Sequence, residues 1–107
     1  DTLIFDEIYA GISGKTAWKV SEQLNVVASE HQVICITHLP QIAAMADAHY
    51  VIEKTVDEVA AITEIRRLAK EDELSEIARL LGSDSITETV LANAKELKEM
   101  ANQTKGY

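Results

Sequence analysis

Asp6 and Glu7 follow directly on the apolar run Leu3-Ile4-Phe5. A carboxylate at a strand end can hold Mg²⁺ through its water shell, and a second beside it can accept a proton from water attacking a γ-phosphate. Successive strand residues point to opposite sides, so both acids serve one site only if the backbone turns at Glu7, on entering Ile8-Tyr9-Ala10-Gly11. Acid pairs are also common as solvated strand ends. His38 is the second candidate, just past the β-branched run Gln32-Val33-Ile34-Cys35-Ile36-Thr37. An imidazole there can donate a hydrogen bond to a γ-phosphate or orient the attacking water. Ahead of Leu39-Pro40 a histidine can equally serve as a helix cap or core residue. Two strand ends on one edge, one delivering Asp-Glu and the other His, make a constellation that neither motif suggests alone.

Gly11-Ile12-Ser13-Gly14-Lys15-Thr16 lies between strand and helix and ends like the phosphate-cradling loop G-x-x-x-x-G-K-[ST]. The spacing fails, because the first glycine would have to stand where Tyr9 is. The segment reads better as a glycine-rich loop that caps a helix through Ser13 or Gly14. Cys35, between Ile34 and Ile36 in a strand expected to be buried on both faces, reads as a packed, inert thiol. His31, His38, His49 and Asp47 lack the one-turn spacing of a helical zinc site. Trp18 and Tyr50 are isolated aromatics and offer no base-stacking platform.

These residues need a scaffold. The runs 3–5 and 32–37 read as buried strands of a parallel sheet. Ala17, Val20, Leu24 and Val27 recur at spacings of three and four, on one face of a helix over about 15–30. A right-handed strand-helix-strand unit follows, with both strand C-termini on the edge where open α/β sheets bind ligands. A second helix begins after Pro40 and carries Ile42, Met45 and Ala46; Tyr50-Val51-Ile52-Glu53-Lys54 then opens a β-hairpin over 49–67, without an Asn-Gly turn. A helix from Glu71 bears Leu74, Ile77, Ala78 and Leu81, with Gly82 as its C-cap. Ser85 and Glu88 have capping-box spacing ahead of a last helix with Ile86, Val90, Ala94, Leu97 and Ala101 on one stripe. Residues 102–107 are expected to fray.

Two helices joined by a short turn invite a helix-turn-helix reading, but residues 71–99 hold eight acids (Glu71, Asp72, Glu73, Glu76, Asp84, Glu88, Glu96, Glu99) against three bases (Arg79, Lys95, Lys98). Phosphate would repel them, so the pair is expected to serve packing. The whole chain of 107 residues carries a net charge of −8, with 10 Lys plus Arg against 18 Asp plus Glu, which opposes non-specific DNA binding. Hydrophobic residues make up 47%, too many for disorder, and no apolar run approaches the roughly 20 residues of a membrane span. The start at Asp1, with no Met and no basic leader, reads as a cut from something longer. A single cysteine fits a reducing cytoplasm.

Thr2-Leu3-Ile4-Phe5-Asp6-Glu7-Ile8, then Gly11-Ile12-Ser13-Gly14, then Ile34-Cys35-Ile36-Thr37-His38-Leu39-Pro40-Gln41-Ile42-Ala43-Ala44-Met45-Ala46-Asp47, resemble the C-terminal end of the bacterial RecN family of DNA repair proteins, SMC-like members of the ABC-type ATPases. The resemblance implies a Walker B strand and D-loop in the first blocks and a switch histidine in the last. It makes Asp6 a water-mediated Mg²⁺ ligand, Glu7 the general base, Gly11, Ser13 and Gly14 part of a loop crossing to a second head, and His38 the γ-phosphate sensor. One departure is Tyr9, where the family usually has Asp.

The implied fold class is α/β, a partial P-loop ATPase head (C-terminal lobe) over 1–107, with the Walker B, D-loop and switch-histidine unit at 1–54 and the hairpin and terminal helices at 55–107. The implied cofactors are ATP and Mg²⁺. The implied partners are the N-terminal lobe of the same polypeptide, a second head in a homodimer, and DNA through the parent protein, with no membrane. The implied setting is the bacterial cytoplasm, at the nucleoid. The family's phosphate loop and signature motif are missing from this sequence, so the segment alone is expected to be inactive and ATP hydrolysis to belong to the parent. The rival reading is a non-catalytic interaction module whose acidic helices dock a basic partner.

Overall fold

The computed structural model describes residues 1–6, 11–82 and 85–106. The fold is mixed α/β: β1 (Thr2–Asp6), α1 (Gly14–Ala28), β2 (Gln32–Ile36), α2 (Pro40–Met45), β3 (Tyr50–Val56), β4 (Ala61–Arg67), α3 (Lys70–Gly82) and α4 (Glu88–Lys105). β1 and β2 are parallel neighbours across the α1 crossover, in register from Thr2 opposite Gln32 to Asp6 opposite Ile36. The expected strand-helix-strand unit is present.

The strands are not buried on both faces as expected. Leu3, Phe5, Val33 and Cys35 are half-buried, whereas Ile4, Ile34 and Ile36 on the opposite face are 66%, 44% and 40% exposed. A parallel sheet hides both faces only when helices lie on each side, and here one side of the pair is bare. α1 is also turned from the expected orientation. Its buried positions are Ala17 and Ser21, with Trp18 packed against the helical core, while Val20, Leu24 and Val27 line a shallow apolar cleft shared with Phe5. Trp18 is thus a packing residue.

The core lies among the helices. Ala43, Ala44 and Met45 of α2 meet Ile77 and Ala78 of α3 and Ala94 and Ala101 of α4, with Leu74, Leu81, Val90 and Leu97 around them. Alanines at the crossings let the helix backbones approach closely, and every residue of α2 except Gln41 is buried. Pro40 stands in the first turn, where its missing N–H costs no bond. The other end of α2 is held by lysines from α4. Lys98 Nζ donates to Ala44 O at 3.4 Å and Lys105 Nζ to Ala46 O at 3.1 Å. Lys98 also pairs with Glu73 of α3 at 3.0 Å, and Lys105, whose side chain is only 5% exposed, pairs with Asp47 at 3.1 Å. Cations are favoured at helix C-termini, where carbonyls lack intrahelical partners.

The hairpin forms as expected, with β3 and β4 antiparallel from Tyr50 opposite Arg67 to Val56 opposite Ala61. Its turn is closed by Asp57 in place of Asn-Gly. Asp57 Oδ1 accepts the N–H groups of Val59 at 2.8 Å and Ala60 at 2.7 Å, and these bonds lower the Asp57 carboxyl below its usual range. Arg66 reaches Glu53 across the strands at 2.8 Å, relieving the pairing of Glu53 directly opposite Glu64.

Three terminal expectations need correction. Gly82 is the last residue of α3 and is not among the described glycines with positive φ; a methyl on it would lie 3.0 Å from Val90 Cγ1, so glycine there allows close approach of α4. The N-cap of α4 is Thr87, whose hydroxyl accepts the Val90 N–H at 3.1 Å, and Glu88 is therefore the first helical residue, too early for a capping box with Ser85. Residues 102–105 continue α4, which ends on Gly106 at φ 85; the Lys105 bonds hold the stretch expected to fray. No described helix is long and apolar enough to cross a membrane.

His49, between α2 and β3, buries its Nδ1 without a hydrogen-bond partner. Burial lowers its pKa from 6.5, Glu76 and Glu73 oppose this, and Lys98 adds to it. A histidine kept neutral in the folded chain binds protons more readily when unfolded, so its contribution is complete above the unfolded value of about 6.5 and is lost as pH falls through the lowered folded pKa. Denaturant titrations between pH 8 and pH 5 will show a steeper loss of stability on acidification for the native sequence than for His49→Gln. Parallel curves would remove His49 as the cause.

Candidate functional site

The site is assembled at the C-terminal edge of the β1–β2 pair. Asp6 is the last paired residue of β1, opposite Ile36, the last of β2, so both strands end side by side. His38 is two residues beyond Ile36, and Asp6 and His38 are both exposed. Thr37 shapes the exit from β2 by accepting the Leu39 N–H on its Oγ1 at 3.0 Å. Glu7, the expected general base, lies outside the described residues, as does Tyr9.

Gly11 has φ +83, a left-handed backbone open to glycine at no steric cost. Ser13 then caps α1, its Oγ accepting the Thr16 N–H at 3.2 Å. Ser13 and Gly14 thus do what the loop reading expected of them: Ser13 is the cap and Gly14 the first helical residue.

Gln41 was not singled out in the sequence, although it lies beside Gly14. A methyl built on Gly14 would sit 3.0 Å from Gln41 Nε2 and 3.9 Å from its Cδ. The side chain of Gln41, in the first turn of α2, therefore lies against the start of α1, three residues after His38. The signal that could have revealed it is its polarity: it is the one position of α2 that is not buried.

Among the described residues no group of three or more His, Cys, Asp or Glu is placed to hold a metal ion. Burial raises the pKa of the half-buried Cys35, which keeps it a thiol and a poor nucleophile. The strand around it is open on one face, but Cys35 points to the covered one.

No protein-family model matches the chain. Among curated proteins it is 39% identical over 104 residues to the DNA repair protein RecN of Bacillus subtilis, covering 97% of this chain and 18% of that protein. It is 44% identical over 96 residues to the RecN of Deinococcus radiodurans and, over the same number, to that of Vibrio cholerae, each covering 90% of this chain and 17% of the relative. The stretch matched is the C-terminal segment of those proteins. The chain spans about a fifth of the length of the curated relatives it matches.

Proposed function

We propose that this chain is the C-terminal lobe of an SMC-like ATPase head, whose full-length protein couples ATP binding and hydrolysis to repair of DNA double-strand breaks. The observation that carries the reading is the delivery of Asp6 and His38 to one sheet edge by parallel, adjacent strands, in a chain similar to the C-terminal segment of RecN proteins. Asp6 would hold the Mg²⁺ of Mg-ATP through water. Glu7 takes the proton of the attacking water, and His38 donates a hydrogen bond to the γ-phosphate. The 11–14 loop faces a second head, so that ATP joins two heads and hydrolysis releases them. An N-terminal lobe would supply the phosphate cradle, and its packing would cover the bare face at Ile4, Ile34 and Ile36.

The interaction-module reading is weaker because two of its acids are engaged within the fold. Glu73 is buried against Lys98, and Glu76 pairs with Arg79.

Calorimetry separates the lobe from the complete head. The 107-residue chain is expected to show no micromolar binding of Mg-ATP, and the full-length protein to bind it, because phosphate oxygens need the cradle that Ser13, committed to capping α1, does not offer. Micromolar binding corresponds to about −8 kcal/mol; observing it on the short chain would overturn the division between lobes.

A further inference from the structure

We propose that Gln41 is a positioning residue that sets the 11–14 loop and the His38 segment in one arrangement, so that neither moves without the other. The inference rests on the ATPase reading above. Gly14 opens α1 and Gln41 lies in the first turn of α2; the site for a methyl on Gly14 is 3.0 Å from the amide nitrogen of Gln41. Both neighbours of this contact are candidate ligand segments. Ser13, one residue before Gly14, is fixed by its cap to Thr16 at 3.2 Å. His38 stands three residues before Gln41, joined to it through Leu39, whose N–H is bound by Thr37, and the rigid Pro40. The remainder of α2 is buried and its C-terminal carbonyls are held by Lys98 and Lys105. Gln41 thus has a firm base and only one free end, and that end rests on the loop.

Gly14→Ala is a selective probe of this contact. The new methyl would stand 3.0 Å from the Gln41 amide nitrogen, so that the amide or the loop must give by a few tenths of an ångström, while alanine is a better helix residue than glycine. The variant should therefore melt at or above the native temperature. A misplacement of about 1 Å can cost about a hundredfold in turnover, so a shift of a few tenths carried to the loop and the His38 segment should lower kcat for steady-state Mg-ATP hydrolysis by the full-length protein between about three- and tenfold, with KM changed by less than about twofold. Gln41→Ala should lose kcat in the same range. The two changes should not multiply: in the Gln41→Ala background the methyl meets open space, and adding Gly14→Ala should cost nothing further.

A Gly14→Ala protein with native kcat overturns the proposal, even if Gln41→Ala fails to fold. So do losses that multiply, which would mean that the methyl acts directly on a second head. Glu7→Gln, measured alongside, distinguishes the two levels. If native hydrolysis is robust and Glu7→Gln leaves it intact, the assignment of Glu7 and this sheet edge to the active site fails and the Gln41 proposal with it. If Glu7→Gln abolishes turnover while the Gly14 and Gln41 changes are silent, only the Gln41 proposal fails.

Discussion

Glu7→Gln in the full-length protein will lower Mg-ATP turnover by about 10²–10⁴-fold and leave ATP binding in place. The amide keeps the size and polarity of the carboxylate and removes its basicity, so only the step that needs a proton acceptor suffers. Asp6 closes the β1 ladder against Ile36, and Glu7 is the next residue in the sequence. In the proposed mechanism the two successive acids divide the work: one for the cation, one for water. Phosphate release under saturating Mg-ATP, with nucleotide binding measured by calorimetry, gives both quantities. Unchanged turnover would make the acids structural and return the interaction-module reading to first place.

The largest loss of stability will come from Ile77→Ala. Ile77 is wholly inaccessible to solvent and lies where α2, α3 and α4 meet. Truncating a buried isoleucine costs about 2–5 kcal/mol, in transfer energy and in the void left behind. Against the 5–15 kcal/mol typical of a whole domain, that is a large fraction. Neighbours such as Ala43, Ala78 and Ala94 are already minimal in size and cannot fill the space by changing rotamer. Urea titration of the 107-residue chain reads the change directly, and a loss below about 1 kcal/mol would mean that the helices close over the gap.

The elements of this fold were legible where the apolar pattern was strong. The run at Leu3-Ile4-Phe5, the stripe at Leu74, Ile77 and Ala78, and the run at Tyr50-Val51-Ile52 each specified their element. What was not legible depended on partners distant in the chain. Burial of both faces of β1 and β2 was inferred from their apolar runs, but a face is buried only by something lying on it, and here α1 turns toward α2. The end of α4 looked free because Lys105 is polar; its partners are 58 and 59 residues earlier. The α4 cap was misplaced by two residues because Ser85 and Thr87 offer the same hydroxyl, and only the helix start decides between them. At the sheet edge, the placement of Asp6 and His38 was readable from the strand ends, whereas that of Gln41 depended on the contact between two helices that sequence spacing does not reveal.

The lysine clasp on α2 has a consequence for biogenesis. Chains leave the ribosome N-terminus first and begin folding as they emerge, so α2 is made well before Lys98 and Lys105. Until then the carbonyls of Ala44 and Ala46 have only water as a partner, and Ala43, Ala44 and Met45 have no α4 to lie against. Closing this contact means joining chain segments more than fifty residues apart, a slow step in any folding pathway. The nascent segment therefore passes through an interval in which its most apolar helix is uncovered by α4, and that interval is when it is most exposed to aggregation.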